Sequence, residues 1–275
     1  MTDSDLVPRL WGLVEAIRDS APLVHNITNL VVHNDTADAI AAVGGTQITL
    51  HNVEEARDAA AACAAIAVNL GTLNDAFLHC ARDAVALAAS LDRPWVLDPV
   101  AAGFTAYRSE AAREFLDLGP TVVKANASEV LALAGRAHGG RGADSVHSVS
   151  AAADAASRMA RRHGSIVVVS GSDDMLTDGT RRAMVSNGRP VMGRMIGAGC
   201  MLTSVIGCFL AVSDRPFEAA LAAVAYFDVA GELAAERAEG PGTFKPLFID
   251  ALYNLERGVF LERVRVSGDT VHALA

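Results

Sequence analysis

Residues 195–204 read MIGAGCMLTS: two glycines and an alanine stand ahead of a cysteine, and an apolar helical pattern follows. At Gly197, Ala198 and Gly199 almost no side chain covers the main chain, so its N–H groups can point at an anion. The N-terminus of the helix adds a partial positive charge, which suits a developing phosphoryl group. Close packing against a strand would use the same small residues, so both readings stand at this point. No GK[ST] follows the glycines, which rules out a Walker loop. Cys200 opens the helix, a position that favours thiolate and lowers the thiol pKa. There it could take a proton from a substrate hydroxyl; a small residue chosen for packing is the alternative.

Two carboxylates occur in positions that suit a magnesium ion, which is commonly held by one or two carboxylates together with waters and substrate phosphates. Asp98 ends the apolar run WVLDPV, and Glu129 sits in the first helical turn of NASEV. A turn-forming Asp before Pro99 and a capping Glu are the plain structural readings. Lys124, one of only two lysines, could meet a nucleotide phosphate as a point charge or lie on the surface. The segment PLVHNITNLVVHNDTA carries His25, Asn26, Asn29, His33 and Asn34 among apolar residues, a mixture that can line a small heterocycle pocket. GPGTFKPLFIDALYNL reads as a turn into a helix, with Pro246 expected in its first turn.

The elements that must position these groups alternate. Short β-branched runs (ITL, AIAVNL, PWVLD, TVVKAN, SIVVVS) are separated by helical stretches near 54–64, 75–91, 109–117 and 150–163. Continuous apolar strands between helices predict a parallel sheet covered on both faces. RRAMVSNG reads as an antiparallel hairpin or edge, the last third as mostly helical, and 137–145 as a flexible surface loop. In such a sheet, ligands sit beyond the carboxyl ends of the strands, where Asn69, Asp98, Lys124, Asn126 and Ser170 fall.

With 275 residues, 51% of them apolar, the chain can bury a large core, and one domain is the economical expectation. A net charge of −9 and no basic block argue against a nucleic-acid partner. The four cysteines lack metal spacing, and Cys63 and Cys80 are expected to be buried free thiols in a reducing cytoplasm. No secretory signal pattern opens the chain, and the apolar run 196–212 is too short and too rich in small residues for a membrane span.

The stretches PLVHNITN, VNLGTL, VLDPV, NASEV, TDG…VSNG, GAGCMLTSVIG and GPGTFKPLFIDALY, taken in order, resemble the hydroxyethylthiazole kinase family. The resemblance implies a ribokinase-like three-layer α/β/α fold with a mostly parallel central sheet and no separate lid domain, spanning 1–275 as a single kinase domain. It implies transfer of the γ-phosphate of ATP, with magnesium, to the primary alcohol of 4-methyl-5-(2-hydroxyethyl)thiazole in thiamine salvage. A homotrimer with active sites at subunit interfaces is implied as well. By motif match Cys200 is the catalytic residue and Gly197, Ala198 and Gly199 the anion hole. Lys124 and Ser170 contact ATP; Asn26, Thr49 and Gly197 contact the thiazole; Asp98 and Glu129 hold the metal. Four positions depart from the family's usual residues: Ile196 replaces Thr, Thr49 replaces Met, Lys124 replaces Arg and Ser170 replaces Thr. Thr49 and Ile196 keep two alternatives open, a kinase for another small heterocyclic alcohol and a non-catalytic binding protein on the same fold.

Overall fold

The computed structural model describes residues 6–135 and 148–268; the loop expected at 137–145 lies outside them. The elements in order are α1 (Leu6–Ser20), β1 (Leu23–Ile27), α2 (His33–Val43), β2 (Thr46–Ile48), α3 (Val53–Ala62), β3 (Ala65–Asn69), α4 (Asp75–Ser90), β4 (Trp95–Asp98), α5 (Ala106–Asp117), β5 (Val122–Asn126) and α6 (Ala127–Leu133). After the gap come α7 (Val149–His163), β6 (Ile166–Ser170), β7 (Asp174–Thr177), β8 (Arg182–Val185), a 3-10 turn at Pro190–Arg194, α8 (Ala198–Leu210), α9 (Pro216–Ala235), α10 (Pro241–Asn254), α11 (Arg257–Arg263) and β9 (Val266–Ser267).

The strands form one sheet in the order β2-β1-β3-β4-β5-β6-β7-β8-β9. Neighbours from β2 to β6 are parallel, and β7, β8 and β9 extend the sheet antiparallel. Alternation along each strand sends side chains to opposite layers. Ala65, Ala67, Val96, Val122 and Val168 join a core with α1, α2 and α8–α11, while Ile66, Val68, Leu97, Val123 and Val169 join one with α3–α7. The continuous apolar runs are thus strands covered on both faces. By the same parity Asp98 follows Val96, and Lys124 follows Val122, onto the α8 side. The register Val96↔Val122 places those two polar residues opposite each other at the strand ends.

Side-chain caps set several helix starts: Asn52, Asn74, Thr105, Asn126 and Ser148 each accept a hydrogen bond from the first turn. Two expectations are corrected. Pro241, not Pro246, takes the first turn of α10, and Pro246 lies inside that helix. The strand expected at ITL is β2, Thr46–Ile48, which ends before Thr49. Cys63, Cys80 and Cys208 are buried free thiols. Among the described residues no helix is long and apolar enough to cross a membrane.

Candidate active site

A cleft of about 690 Å³ opens over the carboxyl ends of β4, β5 and β6 and against the start of α8. Asp98, Lys124, Glu129, Ser170 and the Gly197–Cys200 turn all line it. These groups are spread over more than a hundred residues of the sequence, and the crossovers of the parallel sheet collect them.

The turn has the geometry of an anion hole. Gly197 caps α8 with φ of 94°, and a Cβ there would fall 2.7 Å from Val32 Cγ1. The first intrahelical bond runs from Met201 N–H to the Gly197 carbonyl at 2.8 Å, and Ala198 N–H reaches Met195 O only at 3.4 Å. The main-chain N–H groups of Gly199 and Cys200 therefore have no acceptor within the helix. Gly199 has a second role: a Cβ there would lie 2.6 Å from Lys124 Nζ, so its absence admits the ammonium to the start of the helix.

Lys124 is 5% and Asp98 1% exposed, and Nζ lies 3.6 Å from Oδ2. That oxygen also accepts from Asn69 Nδ2 at 2.7 Å and Thr203 Oγ1 at 2.8 Å. Burial pushes the Asp98 carboxyl up, while Lys124, Thr203 and Asn69 oppose the shift. Burial pulls the Lys124 ammonium down, but Asp98 and Glu129 outweigh it and the net shift is upward. The lysine read as either a phosphate contact or a surface residue is a buried cation amid carboxyls.

Glu129 ties three segments together. Its Oε1 accepts from Ala101 N–H and its Oε2 from Asn126 N–H, both at 2.8 Å, while Asn126 Oδ1 accepts from Glu129 N–H at 3.0 Å. The result is a capping box in which the carboxylate also holds the turn after β4. Ala101 has φ of 59°, a left-handed conformation unusual outside glycine that this contact helps to hold. Burial and the Asp98 charge push Glu129 up to about 7.

Cys200 corrects the local reading of its thiol. Burial, and next the charge of Asp98, push it up to about 11, against the pull of Lys124. Burial, and after it the Asp98 charge, outweigh the helix start, and the shift favours the thiol at neutral pH. Its Sγ lies 3.5 Å from Asn29 Nδ2, and the same amide donates to Asn69 Oδ1 at 2.8 Å.

Two expected ligand contacts lie elsewhere. Asn26 is fully buried: its Nδ2 donates to Thr36 Oγ1 and its Oδ1 accepts from Ser204 Oγ, each at 2.9 Å, so it joins β1 to α2 and α8. It does not line the cleft. Thr49 follows β2, donates to Gln47 and is also absent from the cleft wall. Ile196 is 76% exposed beside the turn. The sequence did not single out roles for Asn29, Asn69 and Thr203 in this network, or for Asp174 and Asp228 in the cleft wall. A strand-end position flags Asn69, and four-residue spacing from Gly199 puts Thr203 on the sheet-facing side of α8.

The pattern of the Hydroxyethylthiazole kinase family matches residues 14–258. The chain belongs to the hydroxyethylthiazole kinase family. Membership makes it an enzyme of the phosphotransferase class. A relative named hydroxyethylthiazole kinase from Granulibacter bethesdensis is 45% identical, over 94% of this chain and 95% of its own. The solved structure of the hydroxyethylthiazole kinase protein from Pyrococcus horikoshii OT3 is 34% identical with a TM-score of 0.88, covering 95% of this chain and 99% of that one. The pyridoxal kinase of Staphylococcus aureus in complex with AMP-PCP and pyridoxal has a TM-score of 0.67 at 16% identity, covering 90% of this chain and 100% of that one. That last likeness concerns the fold alone, and with the observed sheet the fold is ribokinase-like.

Proposed function

We propose that this chain, as a single kinase domain, phosphorylates the primary alcohol of 4-methyl-5-(2-hydroxyethyl)thiazole with ATP, in thiamine salvage, at the cleft over β4–β6. The observation that carries the placement is the meeting of free N–H groups, a buried ammonium and a thiol at one helix start. Phosphoryl transfer depends mainly on positioning and charge stabilisation. The N–H groups of Gly199 and Cys200 hold the migrating phosphoryl oxygens. Lys124, fixed by Asp98, neutralises charge on the phosphates, and Ser170 at the end of β6 donates to them. The Cys200 thiol orients the acceptor hydroxyl as a hydrogen-bond partner; the loose transition state asks for little base strength.

Magnesium fits this donor set as an ion that arrives with the nucleotide. Both Glu129 oxygens already accept main-chain bonds, and the named donors to Asp98 converge on Oδ2. Among the described residues no group of three or more His, Cys, Asp or Glu forms a cage. Asp98 and Glu129 would supply negative charge beside such an ion, which is commonly held in part by waters and substrate phosphates. Bound there, the ion would neutralise charge on the phosphates. The reading includes a cytoplasmic homotrimer that completes the acceptor site from a neighbouring copy. Leu30, Val31 and Ile196, at least 66% exposed and flanking the contact between Val32 and Gly197, support it. Thr49 and Asn26 would then serve the acceptor through that shared wall, Asn26 by fixing the segment that follows it.

The test is ADP formation from ATP, magnesium and the thiazole alcohol. Turnover is expected, and Cys200→Ala should lower kcat about two- to tenfold, the worth of one neutral hydrogen bond. Turnover no greater than that of a Cys200→Ala, Asp98→Ala double variant would overturn the reading.

A further inference from the structure

The end of the cleft away from Cys200 is walled by α9 and by the chain that follows β8. Asp228, on α9, lines it and is 6% exposed. Its carboxyl has no hydrogen bond or ion pair with any described residue, and the charges that act on it are two further carboxyls, Asp174 and Glu232. Nearby cations are engaged elsewhere: Lys124 with Asp98, and Arg189 and Arg265 with Glu232. Burial raises the Asp228 carboxyl well above the usual range. On the β8 side Gly188, at φ of 97°, brings main chain without a side chain past it; a Cβ there would lie 3.7 Å from Oδ1. A buried polar group without a partner destabilises a fold. Asp228 therefore gains nothing from the protein around it and faces a cavity.

Strand counting says what reaches it. Lys124 is on β5, Asp174 opens β7 and Gly188 follows β8. At about 4.8 Å per strand, Asp228 stands roughly 10–14 Å along the sheet from the phosphoryl end. A nucleotide with its terminal phosphate at the start of α8 and its phosphate chain past Ser170 and Gly171 brings its nucleoside there. Met192, beside Gly188, and Phe227, next to Asp228 on α9, give that end apolar walls suited to a flat ring. A phosphate would find no cation at Asp174 and Asp228, whereas hydroxyl or amino hydrogens would find a carboxyl oxygen to accept them.

We propose that Asp228 is a specificity-determining residue for the donor nucleotide, accepting a hydrogen bond from its nucleoside part, either a ribose hydroxyl or the exocyclic amine of the base. This rests on the ATP-dependent reading above.

The test uses the full chain, Asp228→Leu, and four donors: ATP, 2′-deoxy-ATP, 3′-deoxy-ATP and purine riboside triphosphate, which lacks the amine. In Asp228→Leu the KM for ATP should rise about five- to tenfold, the worth of one net hydrogen bond. Its kcat and its KM for the thiazole alcohol should stay within twofold, and its Tm should not fall. The wild-type protein should lose a similar factor with one analogue, which identifies the group read, and the variant should no longer distinguish that analogue from ATP. An unchanged KM for ATP in the variant overturns the proposal. So does a wild-type protein that uses all four donors equally, a result that needs no variant to fold. If the wild-type protein turns over no ATP, the functional reading fails, and calorimetric ATP affinity decides this inference separately: weaker binding by the variant supports it, and equal binding or none by either protein ends it.

Discussion

Asp98 and Asp228 are both buried aspartates in one cleft, and their surroundings are opposite. Asp98 has an amide, a hydroxyl and an ammonium around one oxygen. Asp228 has only carboxyls for company. The first arrangement is preorganised: its cation is in place before substrate arrives, so little reorganisation is needed when charge develops. The second is incomplete until something binds. One end of the cleft is therefore built for the reaction and the other for recognition, and substitutions at the two ends should differ in sign on stability.

The largest effect is expected from Lys124→Met. Removing one partner of a buried pair typically costs about 3–5 kcal/mol. Asp98 relieves part of this by taking a proton, a change its raised pKa already favours. The kcat should fall about 10²–10³-fold, as on loss of one preorganised charge-stabilising donor. Calorimetric unfolding beside steady-state kinetics checks both. A wild-type Tm for Lys124→Met, or a lowered Tm for Asp228→Leu, would erase the contrast between the two ends.

Gly199→Ala sharpens the same contrast without deleting a charge. The new Cβ would meet the far end of the Lys124 side chain, which can swing aside. Alanine also suits a helix better than glycine, by up to about 1 kcal/mol. Stability should hold or rise slightly, while kcat falls about tenfold as Nζ leaves its place, equivalent to about 1.4 kcal/mol of barrier. Full turnover in a stably folded Gly199→Ala would mean that the ammonium does not need that position.

How much of this was legible in the sequence follows from the range of the interactions. AIAVNL and SIVVVS disclose strands covered on both faces, and once the sheet is inferred, parity alone puts Asp98 and Lys124 on the α8 side. The glycines of the turn announce exposed main chain. PLVHNITN does not announce a strand, because the polar atoms of Asn26 are satisfied by Thr36 and by Ser204, 178 positions away. Asp98 meets Asn69 across 29 positions and Thr203 across 105, distances over which no local pattern survives. The Cys200 thiol shows the same limit. Its helix start, visible in the sequence, favours thiolate; burial and the Asp98 charge, which are not visible, prevail.

Asp174 stands between the two ends, and its effect is seen as a pH dependence of stability. It is buried and accepts one bond, from Gly171 N–H at 2.8 Å, and burial raises its carboxyl from 3.8 to about 6. The folded protein thus holds this proton more tightly than the unfolded chain does. Its contribution to stability is full below pH 3.8, declines as pH rises and is gone above about 6. Asn in its place keeps an acceptor for Gly171 and does not titrate. Across that window the wild-type protein should lose stability relative to Asp174→Asn by at most about 3 kcal/mol, the limit set by a shift of this size. At pH 7 the variant should be as stable as the wild-type protein or more so, and removing this neighbouring carboxyl also eases the burden on Asp228. Unfolding free energies from denaturant titrations at several pH values measure the difference. Parallel curves would mean that Asp174 has found a counter-charge in solution, and the incomplete end of the cleft would then begin beyond it, at Asp228.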